Sequence, residues 1–249
     1  MMNNHATLEK MQQMKFYGMA QAFKASLESK LDGPMQADEL LAYFIEQEWL
    51  DREARKTQRL IRSARFRYQA TLEEIDYSSG RNLDKNQLMR LVDCSFINRQ
   101  ENLLITGPTG VGKSYIASAI GYQACRLGYK VRYFNTAKLF TWMTMSKADH
   151  SYLRELTKLE KTDLLIIDDF SLQPIEGTNR MMLMEVIEDR HGKQSTLVAS
   201  QLPQEKWYEL FDDSTIADAV LDRLTHNAHK IALKGESMRK LKSKLRNNS

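Results

Sequence analysis

The chain has 249 residues, of which 42% are hydrophobic and 27% charged, enough apolar material for one large domain or for one domain with a small appendage. No apolar run approaches the roughly 18 residues of a membrane span, and the polar start lacks the apolar core of a secretory signal, so we predict a cytoplasmic protein without membrane contact. The two cysteines, Cys94 and Cys125, form no CxxC pair, which argues against a disulfide framework and a structural zinc site.

The first hundred residues are predicted to be helical. Apolar spacing indicates a helix over residues 7–31, a break at Gly33-Pro34 and a long helix over residues 37–65. A further helix over residues 85–98 leads into the remainder of the chain. We therefore predict a small helical N-terminal domain that comprises residues 1–70.

Positive charge is concentrated in residues 52–67, which carry seven lysines and arginines against one glutamate. The cations recur at helical spacing, so they lie on one face of the predicted helix. This set, called the basic stripe below, consists of Arg52, Arg55, Lys56, Arg59 and Arg62. Such a stripe is either a solvated helix face or a surface that follows the phosphates of a polyanion. Because little negative charge within the segment offsets the repulsion between its cations, we favour duplex DNA as its partner.

The sequence Arg65-Phe66-Arg67-Tyr68, directly after the stripe, interleaves aromatic and cationic side chains. Two interpretations stay open. The rings of Phe66 and Tyr68 either stack on nucleic acid bases or dock the N-terminal part onto the larger domain. We favour docking.

A second basic segment ends the sequence. Residues 230–249 again carry seven lysines and arginines against one glutamate. Each segment contributes +6 to a net charge of +4, which leaves −8 for all other residues. We predict that this tail is helical and that it binds DNA through Lys240, Lys242 and Lys244.

After Gln100 the pattern changes to alternating strands and helices. Short apolar runs predict strands at residues 102–106, 131–134, 164–169, 196–200 and 230–233. Helices are predicted at residues 113–127, 137–146, 151–160, 179–192 and 217–226, with one more around Trp207. Almost wholly apolar strands that alternate with helices form a parallel sheet covered on both faces. We therefore predict an α/β fold with a five-stranded parallel sheet in a domain of residues 71–249.

The loop after the first predicted strand fits the pattern GxxxxGK[ST]. Its residues are Gly107, Pro108, Thr109, Gly110, Val111, Gly112, Lys113 and Ser114. Glycines let the loop curl so that its N–H groups point at a phosphate, and the helix N-terminus adds a partial positive charge. Lys113 supplies a full charge to the β- and γ-phosphates, and the Ser114 hydroxyl binds Mg²⁺. The strand before the loop and the helix after it are the context that this motif requires.

Two adjacent acids end the third predicted strand. Asp168 lies at the carboxyl edge of the sheet, beside the phosphate loop, where it can hold Mg²⁺ directly or through water. Because the chain turns at the end of a strand, Asp169 can face the same site, and there it would orient and deprotonate the attacking water. A small-molecule phosphotransferase is an alternative, but residues 128–163 contain no arginine-rich lid of the kind that such enzymes need.

Several stretches carry a resemblance to a known family. They are ENLLITGPTGVGKSYIASAIGYQACRLGYKVRYFNTAKL, LLIIDDF, TLVASQLP, ADAVLDRL and GESMRK. In this order they resemble AAA+ ATPases of the IstB/DnaC group, and most of all the IstB-like ATP-binding helper proteins of bacterial insertion sequences. The stretches LEKMQQMKFYGMAQAF and SARFRYQATLEEIDY near the N-terminus are also similar, so the resemblance covers nearly the whole chain.

The resemblance implies an AAA+ core that hydrolyses ATP with Mg²⁺, and it implies roles for three more residues. Gln201 matches the sensor position, which contacts the γ-phosphate or the lytic water. Arg223 matches the arginine finger, which reaches the ATP of a neighbouring subunit. Arg239 matches the second sensor, which acts on ATP within its own subunit. At the position of Asp169 the wider superfamily usually carries glutamate.

The resemblance also implies a function, that of a homo-oligomeric ATPase that binds duplex DNA and assists a transposase. An arginine that acts in trans requires head-to-tail contacts between subunits, and such contacts build rings or open helices. Three alternatives stay open: a helicase loader with the same core, a small-molecule phosphotransferase, and a nucleotide-gated binding module with negligible turnover.

Overall fold

The computed structural model describes residues 4–28, 36–77, 80–170, 172, 174–238 and 240. The chain divides into two compact units, Met1–Arg59 and Leu60–Ser249. The first unit is helical, and the second contains the sheet. The division falls inside one long helix, whose last turn belongs to the second unit.

Helices make up the described part of the first unit. They are α1 (Asn4–Gln13), α2 (Tyr17–Glu28) and most of α3 (Ala37–Ala64). Phe23 of α2 packs edge-on against Phe44 of α3, with 5.8 Å between the ring centroids. Gly18 allows the two helices to approach closely, because a Cβ atom at this position would collide with the carbonyl oxygen of Gln47. The apolar sides of α2 and α3 therefore form the core of this unit.

The predicted helix over residues 7–31 is interrupted in the structure between α1 and α2. Lys15 adopts a left-handed conformation with a φ of 61°, and the N–H of Phe16 donates to the carbonyl of Met11 at 2.8 Å. This pattern is a Schellman motif, which closes a helix with a left-handed residue that is usually glycine. Since a lysine takes that place here, the sequence carries no local signal for the break.

Strands and helices alternate in the second unit. In chain order they are α4 (Lys85–Met89), α5 (Ser95–Asn98), β1 (Asn102–Thr106), α6 (Lys113–Arg126), β2 (Val131–Asn135), α7 (Thr136–Ala148), α8 (Tyr152–Glu160), β3 (Leu164–Asp168), α9 (Gly177–Arg190), β4 (Ser195–Ser200), a 3-10 helix (Gln204–Leu210), α10 (Ser214–Thr225) and β5 (Ala228–Ala232). The strands pair in parallel in the order β2-β3-β4-β1-β5. The predicted α/β fold with a five-stranded parallel sheet is confirmed.

Three predicted elements differ from the structure in detail. The helix expected over residues 85–98 is two short helices, because Cys94 adopts a left-handed conformation with a φ of 53° between them. The helix around Trp207 is a 3-10 helix, and β5 begins at Ala228 instead of position 230. The helix predicted for the basic tail falls mostly on positions after 240, outside the described residues.

Apolar layers cover both faces of the sheet. Ile105 and Ile166 belong to a buried cluster with Ile116 of α6, whereas Leu104 and Ile167 belong to a cluster on the other face. Neighbouring strand residues point to opposite faces, so a strand buried on both sides is apolar throughout. The strands β1 and β3 both flank β4, which brings the loop after β1 and the acids after β3 to the same edge of the sheet.

Candidate active site

A cavity of about 350 Å³ lies at the carboxyl edge of the sheet. It brings together predicted site residues from three strand ends, namely Thr109, Gly110, Gly112, Lys113, Ser114, Asp169 and Gln201. Its wall also includes residues that the motifs did not predict, among them Arg67, Arg81 and Tyr115. A volume of a few hundred Å³ is typical of a small-molecule or cofactor site.

The loop between β1 and α6 has the shape of a phosphate cradle. Gly107, Gly110 and Gly112 all have positive φ angles, of 145°, 86° and 104°, in a region that favours glycine. The ammonium group of Lys113 donates to the carbonyls of Gly107 at 2.8 Å and Pro108 at 2.9 Å. The loop and the N-terminus of α6 therefore present N–H groups and a positive charge to the cavity.

Two opposing influences act on the pKa of Lys113. Burial lowers the pKa of its ammonium group, while the charges of Asp168 and Asp169 act in the opposite direction. A buried cation of this kind is stabilised by anions placed close to it. The side chain is therefore suited to receive the charge of a polyphosphate.

Asp168 is fully buried at the end of β3. Its Oδ2 atom accepts a hydrogen bond from the hydroxyl of Tyr133, whose pKa is raised by burial and further by the charge of Asp168. Among the described residues, the Oδ1 atom of Asp168 has no hydrogen-bond partner. A buried carboxylate oxygen without a partner is costly, and this atom is available to a metal ion or its water.

Asp169 follows β3 in a left-handed conformation, with a φ of 57°. The turn directs its carboxylate into the cavity. Its Oδ2 atom accepts hydrogen bonds from the amide of Asn135 at 2.7 Å and from the Nη1 atom of Arg67 at 2.9 Å. Asn135 is itself held in place, because its Oδ1 atom caps α7 by accepting the N–H of Ala137. The acid is thus fixed from two sides.

Gln201 lies directly after β4 and faces the phosphate loop. Its Oε1 atom accepts a hydrogen bond from the hydroxyl of Thr109 at 2.6 Å. This contact joins the end of β4 to the loop after β1. A polar side chain in this position can form a hydrogen bond with a ligand that is bound in the phosphate loop.

The residues present fit a Mg²⁺–nucleotide complex on two observations, the glycine cradle and the partnerless Oδ1 atom of Asp168. In the described ranges, no three His, Cys, Asp or Glu side chains form a metal-binding cluster. Mg²⁺ is commonly held by one or two protein groups together with phosphate oxygens and water. Ser114 and Asp168 are groups of this kind.

Sequence reasoning missed the contribution of the segment after the basic stripe. Phe66 packs against Tyr133, with 6.3 Å between the ring centroids, and Tyr68 packs against Tyr115 at 6.1 Å. Both rings therefore pack within the second unit. Arg67 lies between them and pairs with the acids at the end of β3. The alternation of aromatic and cationic residues was the only local signal.

Arg81 is a second residue that the motifs did not indicate. It is 5% exposed, and its Nη1 atom donates to the carbonyl of Val111 at 2.9 Å. Its Nη2 atom donates to the carbonyl of Asp76. Gly112 has room for this guanidinium only because it lacks a Cβ atom. Arg81 thus ties the phosphate loop to the segment before α4.

Arg223 lies outside the cavity of its own chain. It belongs to α10, and its carbonyl accepts a hydrogen bond from Asn102, the first residue of β1, which places it at the amino edge of the sheet. Its guanidinium pairs with Glu188 at 2.6 Å and donates to the carbonyl of Ala219 at 2.7 Å. The predicted second sensor, Arg239, falls outside the described residues.

The cations of the basic stripe have more acidic partners than residues 52–67 alone contain. The ion pairs are Arg52–Glu48 at 2.6 Å, Arg55–Asp51 at 2.7 Å and Lys56–Glu53 at 3.5 Å. The expectation of little compensation was wrong, because two of these acids precede residue 52. Arg59 and Arg62 are exposed and form no ion pair within the described residues. In the tail, Lys240 is exposed, whereas Lys242 and Lys244 fall outside the described part of the chain.

In the part of the chain that the structure describes, no helix is both long enough and apolar enough to cross a membrane. The longest helix, α3, carries the charged residues of the basic stripe.

Comparison with known proteins places the chain among ATP-binding proteins. Residues 9–246 match the family of IstB-like ATP binding proteins. An insertion sequence ATP-binding protein of Sinorhizobium fredii is 41% identical over 236 residues, which cover 95% of this chain and 96% of the relative. The ATP-binding protein of insertion sequence IS1162 from Pseudomonas fluorescens is 39% identical over 204 residues, which cover 82% and 88%.

Solved structures share the fold. AMPPCP-bound DnaA from Aquifex aeolicus matches with a TM-score of 0.58 and 20% identity over 74% of this chain and 56% of that chain. The DnaC helicase loader matches with a TM-score of 0.55 and 17% identity over 67% and 98%. The chain therefore belongs to the IstB-like ATP binding protein family, and it is an ATPase with an AAA+ fold.

Proposed function

We propose that this ATPase binds duplex DNA in an ATP-dependent manner, assembles on it and assists a transposase. The observation that carries the proposal is the separation of Arg223 from the cavity of its own chain. The phosphate loop, Asp169 and Gln201 line that cavity, whereas Arg223 lies at the opposite edge of the sheet. Each site is then completed by a neighbouring copy.

Each catalytic side chain has a role in hydrolysis. Lys113 neutralises the β- and γ-phosphates, and Asp169 orients the attacking water and takes its proton. Gln201 contacts the γ-phosphate or that water. Ser114 and Asp168 hold Mg²⁺, which neutralises charge on the phosphate oxygens when it is bound.

In this proposal each ATP is contacted by two arginines, one from a neighbouring subunit and one from the subunit that binds the ATP. Arg223 leaves Glu188 and stabilises the transition state in a neighbour, a role worth about 10³–10⁵ in rate. Arg239 acts on ATP within its own subunit. The contact between copies is head-to-tail, so the homo-oligomer is a ring or an open helix. ATP binding builds this assembly, and hydrolysis releases it.

The basic stripe and the tail lysines 240, 242 and 244 are the proposed DNA contacts. Arg52, Arg55 and Lys56 have acidic partners on α3, and an ion-paired cation releases fewer counterions when it meets a phosphate. Arg59 and Arg62 have exposed side chains and form no such pair within the described residues. We therefore assign these two the largest share of the stripe's affinity for DNA.

Salt dependence tests the DNA contacts. With ATP present, the logarithm of the association constant should fall linearly with the logarithm of the salt concentration, with a slope of about −0.9 for each phosphate contact. The double variant Arg59→Ala/Arg62→Ala should reduce the magnitude of that slope by about 1.8. The matched control is Lys138→Ala/Lys206→Ala, which removes two exposed cations of the second unit and should leave the slope unchanged. Equal slopes for the wild type, the double variant and the control would rule out Arg59 and Arg62 as phosphate contacts.

A transposase is the partner that the insertion sequence relatives favour. The likeness to a helicase loader concerns the fold alone, at 17% identity, whereas the insertion sequence relatives reach 41%. Purified chain with ATP and DNA should retain an insertion sequence transposase in a pull-down assay. Retention of a replicative helicase in its place would favour the loader function.

A further inference from the structure

We propose that Arg67 is a positioning residue that holds the acid pair Asp168–Asp169 and is exchanged for Mg²⁺ when nucleotide binds. The inference rests on the proposed role of Asp168 as a metal ligand. Its basis is one guanidinium nitrogen that contacts both acids. The Nη1 atom of Arg67 lies 2.9 Å from Oδ2 of Asp169 and 3.3 Å from Oδ2 of Asp168.

The position of Arg67 is set by the residues on either side of it. Phe66 packs against Tyr133, whose hydroxyl donates to Asp168, and Tyr68 packs against Tyr115 beside Ser114. These contacts fix the backbone of the segment next to the acids. The guanidinium also lies 5.6 Å from the centre of the Tyr68 ring, a favourable cation–π distance.

The side chain of Arg67 is nevertheless free to leave. It is 40% exposed, whereas that of Asp168 is fully buried, and it lines the cavity. The arginine can therefore rotate away from the acids while the flanking rings stay packed. Asp168 cannot follow it, because it is held at the end of a central strand.

Charge explains why the arginine and the metal exclude each other. Two adjacent carboxylates repel unless a cation lies between them, and Arg67 supplies one positive charge at that place. Mg²⁺ would bring two more positive charges to the same carboxylates. The metal would meet Oδ1 of Asp168 while Arg67 holds Oδ2 of the same carboxylate. Like charges that close in a partly buried site repel strongly, so we expect metal binding to displace the guanidinium. Arg67 thus preserves the geometry of the acids and at the same time weakens the affinity for Mg²⁺.

Arg67 is also close in sequence to the proposed DNA contacts. It follows the last residue of α3, Ala64, by three positions. Arg65, between them, has a φ of 59°, a left-handed conformation that ends the helix. Arg67 is therefore separated from the end of α3 only by a short, turned segment.

The test measures metal affinity separately from turnover. Mn²⁺ serves as the probe, since free Mn²⁺ can be quantified by electron paramagnetic resonance in the presence of the non-hydrolysable analogue AMPPNP. Arg67→Gln should lower the half-saturating Mn²⁺ concentration about tenfold, because a partly exposed pair to a buried acid lies between surface and buried pairs in strength. The matched control is Arg65→Gln, which removes the same charge two residues away and should stay within about twofold of wild type.

The outcomes separate this inference from the proposed function. If the wild-type chain with AMPPNP binds no Mn²⁺, the proposed metal site itself is wrong. If the wild type binds Mn²⁺ and Arg67→Gln binds it with equal or lower affinity, the exchange is wrong although the metal site stands. AMPPNP binding without metal should persist in Arg67→Gln and in Arg67→Ala, weakened only by the loss of one charge from the cavity wall. Complete loss of that binding in both variants would make Arg67 a nucleotide ligand or a structural brace and would also overturn the inference.

Discussion

Replacement of Lys113 by alanine is expected to lower the rate of ATP hydrolysis by a factor of about 10²–10³, the usual cost of losing one preorganised hydrogen-bond donor to the transition state. The ammonium group lies in the phosphate cradle, where it donates to the carbonyls of Gly107 and Pro108. Charge on the transferred phosphoryl group develops next to it. Water cannot replace it equally well, because the site around Lys113 is buried.

The measurement for Lys113→Ala is steady-state phosphate release with ATP and Mg²⁺. Lys138→Ala is the matched control, because it removes an exposed lysine from α7, and its rate should equal that of the wild type. Thermal unfolding of both variants tests whether the loss at Lys113 is local. A Lys113→Ala rate within tenfold of wild type would contradict the assignment of the phosphate cradle.

Replacement of Arg223 by alanine is expected to lower hydrolysis by about 10³-fold or more, the range known for arginines that act in trans. The residue lies at the amino edge of the sheet and pairs with Glu188, so its loss leaves the cavity of its own chain intact. Nucleotide binding by an isolated subunit should therefore persist. Arg180→Ala is the matched control, since Arg180 also pairs with an acid, Asp212, at 2.5 Å, and it should hydrolyse ATP at nearly the wild-type rate.

Mixing two inactive variants tests whether the arginine acts in trans. Arg223→Ala subunits keep the acids, and Asp169→Asn subunits keep the arginine, so a contact between them contains one complete site. In a random equal mixture of a head-to-tail assembly, roughly one quarter of the contacts are complete, and the rate should recover toward that fraction of wild type. No recovery at any mixing ratio would assign Arg223 a role within its own subunit.

The sheet and the phosphate loop could be predicted from the sequence because their signals are local. Apolar strands of five or six residues, the glycines at 107, 110 and 112, and the acids at the end of β3 each lie within a short stretch. Once the strands pair in parallel, only a few strand orders are possible for the sheet. The common edge that joins the loop to Asp169 follows from the strand order.

The remaining features depend on contacts between distant positions. Arg67 and Asp168 are 101 residues apart, and no spacing rule connects an arginine in an aromatic segment with an acid after a strand. Arg81 is equally hidden, since a buried arginine has no sequence pattern of its own. The pairing of Arg52 with Glu48 was missed for a simpler reason, because Glu48 lies one helical turn before residues 52–67.

The central claim is that the catalytic site is complete only when a second copy docks against it. The most direct test is the rate of ATP hydrolysis per subunit, measured over a wide range of protein concentrations with and without duplex DNA. The rate per subunit should rise with concentration to a plateau, and DNA should shift the midpoint of that rise to lower concentration. A rate per subunit that stays constant down to the lowest concentration, with or without DNA, would contradict the claim.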